Sequence, residues 1–268
     1  MRKFLAFLFF VIFTLQTVKS QHFTHDIGFH VGTATIQTDY GIRDNFLSSY
    51  GNSAISMSFT HTLHFFNKDP RWNSDHKIWS YLALRSELNI ITNANFQHYG
   101  EFTIGNTDLA RDLRAMTGTT SITSLGFQLE YYMRCLKDFV YPWSRIKWNP
   151  YVLLGAQLSK YSNSLNSTQG DWRQDITVLP VKWRTPGAID IGKGSTYAVT
   201  FGGGVRYKFN SKIDFNVQFN WQFFLSDAVD GLQASVFENK NTEWLINLQM
   251  GVIYHLNFDR PLTIFKLF

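Results

Sequence analysis

The sequence predicts an all-β protein, a transmembrane antiparallel up-and-down β-barrel of about eight strands, with ten strands as the alternative. Segments in which apolar and polar side chains alternate recur along the chain, and most approach the roughly nine to eleven residues that a tilted strand needs to cross a bilayer. Aromatic residues make up 17% of the chain and charged residues only 17%, a balance that suits strands exposed to lipid. A soluble β-sandwich would explain the strands but not the connections described below.

The N-terminus has the pattern of a secretory signal peptide. Arg2 and Lys3 precede an apolar run over residues 4–15, which is too short to span a membrane as a helix. We therefore expect residues 1–20 to be cleaved and residues 21–258 to form the barrel. An uncleaved membrane anchor is the alternative reading of the same residues.

Eight segments show the period-two alternation. In each, large apolar side chains lie on one face, and Gly, Ser, Thr or other polar side chains lie on the other face, as the interior of a narrow barrel requires. The predicted strands are residues 27–35, 54–66, 78–91, 121–134, 151–160, 197–209, 215–223 and 243–258.

The connections between these strands alternate between long and generally shorter. The long ones are residues 39–53, 92–120, 161–195 and 226–242, and the shorter ones are 67–77, 135–150 and 210–212. This predicts long extracellular loops, short periplasmic turns and both termini in the periplasm. Inside the longest loop, residues 175–183 and 188–191 could pair as a hairpin and give ten strands. Residues 106–116 predict a short helix capped by Asn106 or Thr107.

Charged side chains fall on the predicted inward face of several strands. Because buried charges must be paired, we expect an ion-pair network that fills the lumen. The alternative function for these inward charges is a path for protons or ions, although an eight-stranded lumen is too narrow for an open aqueous pore. The residues of the predicted network are Arg85, Glu87, Glu130, Arg134, Arg206 and Lys208.

No catalytic or metal-binding motif stands out. The single cysteine, Cys135, excludes an intrachain disulfide, and there is no G-x-S-x-G or H-E-x-x-H motif. His61 and His64 are three apart and would point to opposite faces of a strand. The sequence thus predicts no enzyme activity, no metal and no cofactor. The eight histidines are His22, His25, His30, His61, His64, His76, His98 and His255.

The predicted closing strand carries the pattern polar-x-Gly-x-x-aromatic-x-hydrophobic. Its residues are Gln249, Gly251, Tyr254, Leu256 and Phe258. The pattern resembles the C-terminal signal by which outer-membrane β-barrels are delivered to their assembly machinery.

Two regions exceed what a barrel needs. The predicted turn 135–150 contains Tyr141, Trp143 and Trp148, which could anchor the barrel in the interface or contact a partner. The tail 259–268 is expected to pack on the periplasmic rim, on lipid or on another subunit. Its apolar candidates for such contacts are Leu262, Ile264, Phe265 and Phe268.

Signal, strand pattern and closing motif together resemble the small outer-membrane β-barrels of Bacteroidota, of the uncharacterised flavobacterial type. The resemblance implies the outer membrane as location, and lipid, lipopolysaccharide and the assembly machinery as partners, but no reaction. Nucleic acid is not expected, because the net charge of +5 falls to about +2 without the signal peptide. Three hypotheses remain: an interaction subunit of an assembly or secretion complex, a stand-alone structural or adhesive barrel, and a lipid-modifying enzyme or small transporter.

Overall fold

The computed structural model describes residues 24–40, 51–65, 78–140, 144–233 and 243–256. They form a closed barrel in which each strand is antiparallel to both neighbours and β1 pairs with β8. The eight-stranded prediction is therefore confirmed. The signal peptide, Phe258 and the tail 259–268 lie outside the described residues. The strands are β1 Thr24–Gln37, β2 Ser53–His64, β3 Leu82–Gln97, β4 Met116–Tyr132, β5 Trp148–Ser167, β6 Lys193–Lys208, β7 Ile213–Phe224 and β8 Trp244–Leu256.

Three central strands are longer than the alternation predicts. The third begins at Leu82 because Ile78–Tyr81 is a 3-10 helix, and it continues to Gln97 beyond an irregularity between Ile91 and Ala94. The fourth and fifth also extend at the same end of the barrel, where their outward side chains are polar. The alternation of hydrophobicity marks only the part of a strand that faces lipid, so the extensions carried no such signal.

The connections group at two ends of the barrel. We call the end with residues 38–52, 98–115, 168–192 and 225–243 the loop end. The opposite end contains the connections 65–81, 133–147 and 209–212, the first residue of β1 and the last residue of β8. We call it the terminus end. The predicted alternation in length holds only in part, because 65–81 is longer than 38–52 and 133–147 is equally long.

The loop end contains helices in place of the expected hairpin. Residues Ile176–Val178 and Val181–Arg184 form 3-10 helices, and Pro180 stands at the start of the second. Ile189 makes an isolated bridge to Leu232 instead of pairing within its own loop. The hairpin prediction was wrong because proline cannot donate to a strand ladder. The expected helix is present as α1, Asp108–Ala115, and the Thr107 hydroxyl accepts from the Ala110 N–H at 3.2 Å.

The outer wall is apolar around the barrel. Leu154, Phe127 and Met250 are each more than 60% exposed, and their counterparts on the other strands are exposed in the same way. Aromatic pairs border this band. At the terminus end Trp148 lies 4.5 Å from Tyr207 between ring centroids, and toward the loop end Trp221 lies 5.0 Å from Trp244. An apolar band between two aromatic belts is the surface of a membrane-spanning barrel.

The inside of the barrel is filled in layers. A polar network occupies the half nearer the terminus end, and a cluster of buried apolar side chains occupies the loop end. A second helix, α2, Leu136–Val140, buries Leu136 and Phe139 completely at the terminus end. Leu136 packs there with Tyr132 and Tyr151.

Candidate functional site

The most densely charged part of the interior lies at the terminus end. Arg206 Nη2 is 2.7 Å from Asp26 Oδ2 and 2.9 Å from Asp214 Oδ2. His255 joins the same two carboxylates through Nδ1 and Nε2, at 2.7 and 3.1 Å. His64 Nε2 is 2.6 Å from Asp26 Oδ2. All five side chains are buried, so each charge is compensated inside the barrel rather than by water.

A second charged group lies further into the lumen around Arg85. Its Nη1 donates to Glu130 Oε1 at 3.0 Å, and its Nη2 lies 2.8 Å from Glu87 Oε2. The Tyr132 hydroxyl donates to Glu130 Oε2 at 2.7 Å and accepts from Arg206 Nη1 at 3.1 Å. Tyr132 therefore links the two charged groups into one network.

Uncharged side chains extend this network toward the middle of the barrel. Arg85 Nη2 donates to Gln218 Oε1 at 2.7 Å, and Gln218 Nε2 donates to Gln249 Oε1 at 2.8 Å. The Ser58 hydroxyl donates to the same Gln249 oxygen at 3.0 Å. The interior is thus crosslinked between strands that are far apart in sequence, and charged and amide groups fill the space a solute would need.

One residue of the predicted network, Arg134, lies outside the lumen. Arg134 is exposed beyond the end of β4, where its backbone N–H donates to Asn149 Oδ1 at 3.1 Å. Its assignment to the lumen was wrong because the strand ends at Tyr132 and the period-two rule ends with it. Lys208 is buried at the terminus end, with Nζ 5.4 Å from the centroid of Phe139. It faces inward, as predicted, beside α2 and opposite Asp214, which pairs with Arg206.

The proposed assembly motif divides between the two faces of β8. Gln249 points inward into the network, and Gly251 packs so closely that a Cβ would clash with the Phe29 carbonyl oxygen. Tyr254 is exposed on the outer wall, and Leu256 is half-buried. The polar and glycine positions of the motif thus have packing roles in the folded barrel.

The predicted partner contacts fall mostly outside the described residues. Tyr141, Trp143, Leu262, Ile264, Phe265 and Phe268 all lie there. Trp148 is 55% exposed and packs against Tyr207 in the aromatic belt. Trp148 is the first residue of β5, and the connection before it supplies α2 to the terminus end.

The loop end carries a packed cap made by residues 98–115, 168–192 and 225–233 above the strand ends. Trp183 is 1% exposed and belongs to the same buried cluster as Phe96 and Phe224. Arg184 fixes the cap laterally, since its Nε donates to the Leu179 carbonyl at 2.6 Å and its Nη2 to Asp112 Oδ2 at 3.3 Å. The cap is therefore a small apolar core built on the barrel.

A cleft of about 280 Å³ opens in the cap between α1 and the segment around Trp183. Apolar side chains dominate its lining, with Asp39, Thr103 and Lys182 among the polar residues. Burial, and then the charge of Lys182, lower the pKa of His98 to about 4, so this lining imidazole is neutral at pH 7. The apolar lining residues are Phe102, Leu109, Leu113, Pro180 and Trp183, together with the aromatic Tyr99.

The cleft lies in an apolar surface patch. Phe102 is 59% exposed, Leu109 48%, and their neighbours Ile104 and Val181 76% and 68%. These residues belong to the loop end and not to the lipid-facing strands. An apolar patch away from lipid is typical of a surface that binds another molecule.

Two buried carboxyl groups join the cap to the barrel. Glu243, just before β8, accepts from the backbone N–H groups of Val229 and Asp230, both at 2.9 Å. Asp230 in turn accepts from the N–H groups of Asp39 and Leu232, both at 2.8 Å. Burial, and then the charge of Asp39, raise the pKa of Asp230 to about 7, and burial beside Asp230 raises the pKa of Glu243 as well.

Sequence reasoning missed much of the polar network. Asp26 stands one residue before the predicted first strand, and Asp214 one residue before the predicted seventh. The alternation places His64 and His255 on the inward faces, but it does not indicate that they pair with carboxylates. Extending the first and seventh predicted strands by one residue at the terminus end would have placed Asp26 and Asp214 on the inner face with these histidines.

The described residues contain no group of three or more His, Cys, Asp and Glu side chains that could hold a metal ion. None of the helices in these ranges is long and apolar enough to cross a membrane.

Comparison with known proteins gives likenesses of fold. No protein-family model and no curated protein matches the sequence. A major outer-membrane protein from Thermus thermophilus is similar with a TM-score of 0.47 and 10% identity, covering 88% of this chain and 100% of that one. Ail, the attachment invasion locus protein of Yersinia pestis, crystallised with the heparin analogue sucrose octasulfate, gives 0.41 and 11%, with 87% and 97% covered.

The outer-membrane enzyme PagL is also similar, with a TM-score of 0.33 and 9% identity, over 86% of this chain and 98% of that one. Likenesses at these scores do not transfer an activity to this chain. The class of this protein therefore follows from its own geometry: a closed, eight-stranded antiparallel β-barrel with a lipid-facing outer wall. The sequence's resemblance to barrels of Bacteroidota stays a prediction.

Proposed function

We propose that this protein is a non-enzymatic outer-membrane barrel that serves as an interaction subunit of an envelope complex, and that it binds its partner through the loop-end cleft. The observation that carries the proposal is the apolar patch around Phe102 and Leu109, which lies away from the lipid-facing wall. In this proposal the signal peptide delivers the chain, the termini face the periplasm and the loop end faces outward.

The interior supports a binding role over transport. Charged and amide side chains fill the lumen, α2 covers the terminus end and the cap covers the loop end. Binding therefore has to occur on a surface. The cap offers a preformed surface, because its apolar core and the hydrogen bonds of Arg184 fix the walls of the cleft.

The chemistry of the cleft suggests a protein partner. Its volume suits one or two large side chains, and half-exposed aromatic and aliphatic residues form its walls. Buried aromatic anchors carry most of the binding energy in protein interfaces. An outer-membrane protein or lipoprotein of assembly or secretion machinery would present such an anchor on an exposed loop. A stand-alone structural or adhesive barrel is the second hypothesis.

Isolation of the untagged complex in mild detergent, followed by mass spectrometry, tests this proposal. We expect an envelope protein to co-purify, and a photo-crosslinker at Phe102 to reach it. The double variant Phe102→Glu and Leu109→Glu should reduce recovery of the partner by at least about tenfold, as loss of an interface hot spot does. Ile176→Glu is the matched control, because Ile176 is 41% exposed on the cap but does not line the cleft.

Two results would count against the proposal. A barrel recovered alone at native expression would support the stand-alone alternative. Partner recovery that is equal in the cleft variant and in Ile176→Glu would show that binding occurs elsewhere on the protein.

A further inference from the structure

The outer wall of β1, β2 and β3 contains a polar spot. In the terminus-end half of these strands the outward-facing residues are apolar except His25, His61 and Ser86, and the polar outward residues Thr33 and Thr92 lie nearer the loop end. His61 stands between Phe59 and Leu63 on its face of β2, and Ser86 is its partner on β3. Polar side chains on the lipid face of a barrel lower its stability by an amount that grows with depth. The grouping of these polar side chains at one place therefore indicates that they have a function.

The two histidines of this spot are held together. His25 Nδ1 lies 3.0 Å from His61 Nε2, and the rings are stacked with centroids 5.3 Å apart. Both residues stand on β1 and β2, which pair in register from Thr24 to Thr35. Because the backbone positions are fixed by the ladder, little ordering is needed to present both imidazoles to a ligand.

We propose that His25 and His61 form a surface site for a divalent first-row transition metal, with Cu²⁺ as the preferred ion. With metal–nitrogen bonds of about 2.0–2.1 Å, a nitrogen separation near 3.0 Å corresponds to an N–metal–N angle of about 90°. That angle suits adjacent positions of a tetragonal Cu²⁺ or Ni²⁺ centre better than a tetrahedral Zn²⁺ centre. The Irving–Williams order also places Cu²⁺ first.

Binding requires a shift of tautomer and a rotation of the two rings that directs both lone pairs at the ion. Without metal, one of the two facing nitrogens carries a proton and donates it to the other. When the ion binds, that imidazole carries its proton on its other ring nitrogen, so both facing lone pairs coordinate and no net proton is released. Both coordinating imidazoles must be neutral for the ion to bind.

The remaining coordination positions are available to water. His25 is the second residue of β1, and the row of paired residues through His61 continues across Ile27 and Tyr254 to Ile213, the first residue of β7. The site is therefore close to the terminus-end edge of the band. A bound ion would connect β1 to β2 beside the seam where β1 pairs with β8.

Titration of the tag-free protein in lipid nanodiscs with Cu²⁺ alone tests the site. We expect one equivalent to bind, with an electron paramagnetic resonance spectrum of nitrogen ligation and a higher unfolding temperature. His61→Phe and His25→Phe should each weaken binding by about tenfold or more. The different migration of boiled and unboiled samples on gels shows that each variant is folded. His98→Gln, a histidine of the distant cap, is the matched control and should bind as the wild type does.

Each outcome of the titration either supports the metal site or overturns it. Loss of the bound equivalent in either strand variant but not in His98→Gln supports the site. No binding to the wild type, or one equivalent that persists in both strand variants, overturns it. The result is independent of the partner proposed for the cleft, since the two sites lie at opposite ends of the barrel.

Discussion

At the terminus end the interior holds Arg206 between Asp26 and Asp214, whereas at the loop end it holds Trp183 in a cluster with Phe96 and Phe224. The first region lies on strands surrounded by lipid. Its charged side chains are buried away from water and are compensated by each other. The second consists largely of loop residues and gains stability by burying apolar area, about 25 cal/mol per Å².

The difference assigns separate roles to the two regions. Removing one member of a buried ion pair leaves an uncompensated charge, so the charged region tolerates few arrangements and fixes which strands face each other. An apolar core tolerates shifts as long as volume is kept. The loop end can therefore carry a binding cleft that varies, on a barrel whose interior does not.

The largest expected effect follows from breaking the charged region. Arg206→Ala removes the guanidinium that Asp26 and Asp214 share and leaves only histidines beside these carboxylates, so we expect the barrel to lose about 3–5 kcal/mol of unfolding free energy. Urea unfolding in lipid vesicles, followed by the difference between folded and unfolded bands on gels, measures this loss. A change below about 1 kcal/mol would mean that the ion pairs do not hold the interior together.

Breaking the apolar region should have a local effect. Trp183→Ala creates a cavity that costs the cap about 3–5 kcal/mol, but the barrel should unfold at nearly the same urea concentration as the wild type. Proteolysis within residues 168–192 reports the cap. Val181→Ala, at an exposed neighbour, is the control and should leave cleavage unchanged. Equal loss of cap and barrel stability would show that the two regions unfold as one unit.

The carboxyl pair should make the cap sensitive to pH. In the folded protein Asp230 and Glu243 hold protons above their ordinary pKa, so folding stability is greatest near pH 4 and falls as pH rises to about 7. Asp230→Asn should flatten this dependence and stabilise the cap at pH 8, by on the order of 1–3 kcal/mol. Hydrogen exchange of residues 226–233, corrected for the intrinsic rate, measures it. Wild-type protection that is constant from pH 5 to 8 would contradict the account.

The smallest expected effect concerns Arg134. Because this arginine is exposed beyond β4, Arg134→Ala should change the unfolding free energy by less than about 0.5 kcal/mol. The same urea titration as for Arg206→Ala measures it, so the two arginines form a matched pair. A loss of unfolding free energy comparable to that of Arg206→Ala would show that the Arg134 side chain lies in the lumen.

The two regions also differ in how well the sequence predicts them. Alternation over residues 215–223 of β7 places apolar residues outside and Asn or Gln inside, and the structure agrees residue by residue. The rule fails where a strand ends or leaves the lipid, as at Arg134 and at Asp26. The cap has no periodicity, because its contacts join segments distant in sequence, such as Asp230 and Asp39. The cleft was therefore not predicted.

The central claim is that the interior is closed and that function lies on the surface, and planar-bilayer conductance tests it most directly. Purified protein inserted into a bilayer should add no stepwise current above the bare membrane, because charged pairs and two end covers fill the lumen. Stable, ohmic steps that scale with salt concentration and are abolished on unfolding would contradict it.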